Sequence, residues 1–237
     1  MIRCRTKCLK SMIRNINPDN HKSEEEILEN HKRYLEREKT YKDFGYDMDK
    51  ERGFVLEQAK PLYGKILEVG TGKGHFALVL AKQGYSFVTL DISEEEQHFA
   101  KLNLAYFGLE KLANFRIENG EHTSFTDGSF DTIFSVNVLH HLGNPYQVID
   151  ELIRVLSQKG KLVLSDFTEE GFRMIGKIHA LENKTHQAGR TTLLEVEPYL
   201  VKKGFLVKKA KSTHQHVLVA KRNIAQKFHS RFNNAED

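Results

Sequence analysis

The 237-residue chain has no tryptophan, four prolines and two cysteines. Both cysteines, Cys4 and Cys8, fall near the start, and two thiols without accompanying histidines leave a zinc site incomplete. No apolar run approaches the roughly 18 residues of a membrane helix. A mean hydropathy of −0.52 reads as a soluble chain. The N-terminus lacks an apolar h-region, so no secretory signal and a cytoplasmic location are expected. No internal repeat or low-complexity segment is present. A basic face is missing too. Net charge is +4, but residues 1–14 carry Arg3, Arg5, Lys7, Lys10 and Arg14 without an acid, which leaves the remainder at −1. A nucleic-acid binder would spread basic charge over its folded body, so nucleic acid is not an expected partner.

What is present is strand and helix in alternation. Strands are predicted over 65–69, 85–90, 114–118, 130–138, 161–165, 205–210 and 216–220. Ser23-Glu24-Glu25-Glu26 and Ser93-Glu94-Glu95-Glu96 read as capping boxes that open helices toward Phe44 and Tyr106. A short helix covers Arg52–Ala59, ended by Pro61 and Gly64. Asn144 followed by Pro145 starts another, whose apolar face is Val148, Ile149, Leu152, Ile153 and Leu156. Helices are also expected over Glu169–Glu182 and from Thr192 to before Gly204. The alternation implies an α/β fold with a mostly parallel sheet covered on both faces. The organisation read from the chain is a basic flexible leader (1–22), N-terminal helices (23–60), one domain (61–221) with a helical insert at 168–203, and a polar tail (222–237).

The most informative stretch is Ile66-Leu67-Glu68-Val69-Gly70-Thr71-Gly72-Lys73-Gly74. An apolar strand ends, three glycines follow at alternate positions, and helical spacing resumes at Phe76, Ala77, Val79 and Leu80. Glycines allow positive φ and close approach of backbone to a ligand, and the new helix points free N–H groups into the loop. His75 and Phe76 occupy the place of a third dinucleotide-type glycine. Glu68 would repel a pyrophosphate but suits a cationic ligand. This pattern resembles motif I of the class I S-adenosylmethionine-dependent methyltransferases.

Later stretches strengthen the resemblance. Asp91 ends the second strand, where an acid can accept hydrogen bonds from a ribose diol; the alternative is an acid that merely leads the Ser93 helix. Ile92 would flank the adenine. Asn119 stands where the family carries an aspartate for the adenine amino group, and its carbonyl oxygen can keep that contact. Gly120 stands at the family's alanine, whose N–H meets the ring. Leu139-His140-His141-Leu142 resembles the small-molecule branch that includes the ubiquinone and menaquinone biosynthesis enzymes. There the backbone of Ser135 and Val136 would meet the methionine end of the cofactor.

The resemblance covers about residues 60–168. It implies a Rossmann-like seven-stranded sheet with a final antiparallel strand. It further implies S-adenosylmethionine as cofactor, held by Glu68, Gly70, Thr71, Gly72, Gly74, Asp91, Ile92, Asn119, Gly120, Ser135 and Val136. The implied reaction is in-line methyl transfer to a small molecule, with no metal required. His140 or His141 is a candidate base, although such pairs also orient the next helix. Asn144-Pro145-Tyr146 lies too far from the fourth strand to be an amino-methylating motif. His179 and His186 are candidate substrate contacts in the insert; with Glu182 they could instead share a helix face as metal ligands. A non-catalytic cofactor-binding scaffold and a methyltransferase acting on RNA or protein are the alternatives. A nicotinamide-dependent oxidoreductase is disfavoured by the glycine spacing. Neither the acceptor nor the oligomeric state can be read from the residues.

Overall fold

The computed structural model describes residues 21–181 and 191–223. The basic leader with both cysteines, the candidate residues Glu182 and His186, and most of the polar tail lie outside them.

Seven strands form one sheet: β1 (Ile66–Val69), β2 (Phe87–Asp91), β3 (Ala113–Ile117), β4 (Phe130–Val136), β5 (Leu156–Phe167), β6 (Phe205–Lys211) and β7 (Gln215–Arg222), ordered 3-2-1-4-5-7-6. β7 runs antiparallel to both neighbours, β5 and β6, and the other pairings are parallel. This is the expected α/β architecture with an antiparallel final strand. All four residues of β1 are buried because helices cover both faces.

The helices are α1 (His21–Asp43), α2 (Met48–Ala59), α3 (His75–Lys82), α4 (Glu94–Tyr106), α5 (Pro145–Val155), α6 (Glu169–Leu181) and α7 (Leu193–Lys202). On one face, Val148, Ile149, Leu152 and Val155 of α5 and Leu193, Val196 and Leu200 of α7 pack on Leu67, Ile133, Leu162 and Leu218. On the other, Val55 and Leu56 of α2, Phe76 to Ala81 of α3 and Leu104 of α4 pack on Ile66, Phe134, Val163 and Val219. α6 rests on Tyr41, Tyr46 and Met48 through Met174, Ile175 and Ile178.

Several boundaries differ from expectation for physical reasons. β4 stops at Val136 because Asn137 adopts φ +59° and turns its N–H to Ser165 O at 2.8 Å. β5 begins at Leu156, which therefore belongs to the strand and not to the α5 face. β2 begins at Phe87, since Tyr85 N–H still bonds Leu80 O in the turn after α3. Ser23 lies within α1 and is not its cap. Asn144 precedes α5, but its side chain donates to Glu121 Oε1 at 3.1 Å and caps nothing. Ser93 does cap α4, accepting from Glu96 N–H at 3.1 Å. Gly108 at φ +68° closes it, with Leu109 N–H returning to Leu104 O.

Candidate active site

The sheet order reverses at β1, with β2 on one side and β4 on the other. Open α/β sheets hold ligands at the carboxyl ends of such strands. A cavity of about 490 Å³ lies there. It is lined by the glycine loop, the ends of β2 and β4, and the Glu118–Glu121 and Val136–Gly143 segments. A larger cleft of about 620 Å³ sits among the opposite strand ends and involves Asp127, Asp150, Arg154 and Lys203. Most of its charges are already paired: Arg154 contacts Asp127 and Glu151 at 2.6 Å each, and Lys203 contacts Asp150 at 2.8 Å, while Arg222 donates to the Ile153 and Leu156 carbonyls.

The three glycines serve three different ends. A Cβ on Gly70 would come within 2.2 Å of Val138 Cγ2, so Gly70 lets the post-β4 loop lean on the glycine loop. Gly74, at φ +76°, would meet Ala100 Cβ at 2.7 Å; it seats α3 against α4 and does not line the cavity. All three take the expected positive φ, and Gly70 and Gly72 line the cavity; at Gly72 no atom lies within 4 Å of a would-be Cβ.

Asp91 fixes that loop. Its Oδ2 accepts from Gly72 N–H at 2.7 Å and its Oδ1 from Ser93 N–H at 3.0 Å. The acid thus leads the Ser93 helix, and each carboxylate oxygen keeps a further lone pair. Glu68 is 2% exposed. Gln97 Nε2 donates to Thr71 Oγ1 at 3.1 Å, the Thr71 and Thr89 hydroxyls are 2.6 Å apart, and Thr89 donates to Glu68 Oε2 at 2.7 Å. Since Thr89 gives its proton to Glu68, Thr71 must give its own to Thr89. Burial, opposed by the Thr89 bond and reinforced by Asp91, pushes the Glu68 carboxyl up to about 8.

Ile92 is 73% exposed at the cavity edge. Asn119 and Gly120 also line the cavity, but Asn119 Oδ1 already accepts from Glu121 N–H at 2.9 Å. Val136 lines the cavity and Ser135 does not. His140 is buried and outside the lining; its Nδ1 contacts Asp166 Oδ1 at 2.6 Å and its N–H donates to Oδ2 at 3.0 Å. It holds the turn after β4, the structural alternative for the pair. His141 does line the cavity. His179, on α6, lies outside this lining.

Among the lining residues that the sequence reading did not assign to the site, Arg52, His75 and Asn137 stand out. Arg52 of α2 enters the cavity and has no ion pair among the described residues. His75 is half-buried and kept neutral by burial and by the charges of Arg52, Arg37 and Lys73. Asn137 is the one described non-glycine residue with positive φ. A left-handed asparagine is a recognisable turn signal, but here it was hidden inside an apolar run. Nothing local marks Arg52, which only the packing of α2 brings over the loop.

Comparison with known proteins agrees with this geometry. Residues 67–164 match the family described as "Methyltransferase domain". Over 108 residues the chain is 32% identical to "Methyltransferase GfsG" of Streptomyces halstedii, covering 45% of this chain and 39% of that protein. Over 113 residues it is 30% identical to "Ubiquinone biosynthesis O-methyltransferase" of Vibrio parahaemolyticus, covering 47% and 48%. The chain thus spans half or less of the length of these curated relatives. A solved protein from Pyrococcus horikoshii shares the fold with a TM-score of 0.62 at 19% identity, over 80% of this chain and 92% of that one.

Proposed function

We propose, for a chain whose residues 67–164 place it in the methyltransferase domain family of class I S-adenosylmethionine-dependent enzymes, that it methylates a small molecule at an oxygen atom. The observation that carries this reading is the charge arrangement in one cavity: the buried acid Glu68 and the guanidinium of Arg52, which has no carboxylate partner among the described residues. The methionine end of S-adenosylmethionine has an ammonium, a sulfonium and a carboxylate, and so calls for both signs. The remaining residues fit the group as well. Gly72 offers backbone free of side-chain obstruction. Asp91 stands at the loop for a ribose, and Ile92, Asn119 and Gly120 border the place of an adenine. The oxygen acceptor is suggested by the name of the Vibrio relative.

When bound, the cofactor supplies a methyl group on a sulfonium whose departure leaves a neutral thioether. The chain's own part is to hold the two reactants in line and exclude water. Arg52 takes the carboxylate, Glu68 faces the cationic centre, and Asp91 anchors the sugar. His141, at the cavity wall, is placed to take the acceptor's hydroxyl proton on a ring nitrogen. His140 and Asp166 fix the turn that carries it.

Incubation with methyl-labelled S-adenosylmethionine and fractions of small molecules, RNA and protein tests the proposal. Label is expected in a small-molecule product. Label in RNA or protein would reassign the acceptor, and binding of cofactor with no label in any fraction would favour a scaffold.

A further inference from the structure

The carboxylate-binding arm of the site has a support outside the cavity. A free arginine side chain loses rotamer entropy when a ligand immobilises it, so an arm held beforehand binds better. The Arg52 Nη1 donates to the Tyr46 hydroxyl at 3.4 Å. Gln215 of β7 donates Nε2 to the same oxygen at 3.1 Å, and Ser165 of β5 donates to Gln215 Oε1 at 2.8 Å. Tyr46 is fully buried, does not line the cavity, and is packed on Tyr41 and Phe167. Its oxygen therefore accepts twice. The Asn137 amide, its Oδ1 and Nδ2 both buried, stands beside the same hydroxyl. The phenol's own hydrogen is left to face that amide. One hydroxyl thus joins α2, β7 and the end of β4 behind the cofactor cavity.

We infer that Tyr46 is a positioning residue for the cofactor's carboxylate: its hydroxyl, held by Gln215, presets Arg52 over the glycine loop. The inference rests on the methyltransferase reading and deepens it, since it names how this chain preorganises one end of that site. Tyr46 touches no ligand itself. Its removal is felt only by ligands that carry the carboxylate.

The test compares S-adenosylmethionine and S-adenosylhomocysteine, which have that carboxylate, with 5′-methylthioadenosine, which keeps the adenosine and thioether but lacks it. In Tyr46→Phe, Kd for the first two is expected to rise about five- to tenfold, the scale of one hydrogen bond, with Kd for 5′-methylthioadenosine unchanged. Arg52→Ala is expected to cost the first two more and again spare the third. The double variant is expected to bind no worse than Arg52→Ala alone, because the tyrosine acts through the arginine. Equal losses on all three ligands, or full additivity in the double variant, would overturn the inference and leave Tyr46 a packing residue. Gln215→Met, which removes the donor that holds the hydroxyl, supplies the same comparison if Tyr46→Phe does not fold; a loss confined to the carboxylate ligands is again expected. Failure of the unaltered protein to bind S-adenosylmethionine would instead overturn the methyltransferase reading itself.

Discussion

Asp91 fixes the glycine loop before any ligand contact, by accepting from the backbone of Gly72 and Ser93. Asp91→Ala therefore loosens the loop and, on the proposed reading of the site, removes a charge-assisted bond to the ribose. Such a bond contributes roughly 1.5–3 kcal/mol, so cofactor affinity is expected to fall more than tenfold by calorimetry; unchanged affinity would remove Asp91 from the site. Glu68 gives a pH dependence. Its carboxyl, raised to about 8 by burial, holds its proton at lower pH when no ligand is present. A cationic ligand favours the carboxylate and draws the value down. Affinity for S-adenosylmethionine should accordingly climb with pH up to about 8 and level off above it, while Glu68→Gln flattens the profile. Binding that is already pH-independent in the unaltered protein would contradict this role. Gly74 is a packing position. Gly74→Ala combines strained φ with a 2.7 Å approach to Ala100 Cβ. It should lower stability by roughly 1–3 kcal/mol in denaturant unfolding. These roles were only partly legible in the chain. The glycine spacing announced the loop, but the tertiary neighbours Val138 and Ala100 determine why two of the three are glycine.

Among elements, α1 shows what periodicity cannot reveal. Its apolar residues are few, and Leu28 and Leu35 are exposed. Yet it docks through a polar thread: Asn30 Nδ2 donates to Asn103 Oδ1 at 2.8 Å, and Asn103 Nδ2 donates to Lys73 O in the glycine loop at 2.8 Å. His31 stacks on Tyr106 of α4 with ring centroids 3.4 Å apart, and Tyr34 stacks on His75 at 5.4 Å. Burial, then nearby cations, keeps both histidines below their ordinary pKa; for His75 the cations are Arg52, Arg37 and Lys73, for His31 Lys82. The unfolded chain takes up protons on these residues near pH 6.5 while the folded chain resists. Stability should therefore fall as pH drops below about 6.5, read as a lower Tm at pH 5.5 than at pH 7.5. His75→Phe should weaken that slope; an identical slope would place the acid sensitivity elsewhere.

Across the whole molecule, strand and helix order was legible because each element announces its own period and caps. Boundaries moved where a tertiary bond intervened, as at Asn137, whose N–H goes to Ser165. The glycine-loop side of the cavity was legible because it is built from one contiguous loop and the tips of neighbouring strands. The rest was not, because Gln215 lies far along the chain from Tyr46 and Arg52 and meets them only after α2 packs against β7. The central claim is that this cavity takes S-adenosylmethionine, and titration calorimetry with S-adenosylmethionine, S-adenosylhomocysteine and NAD tests it most directly. The account predicts saturable one-to-one binding of the first two and no heat from NAD. Tight NAD binding with no heat from S-adenosylmethionine would contradict it.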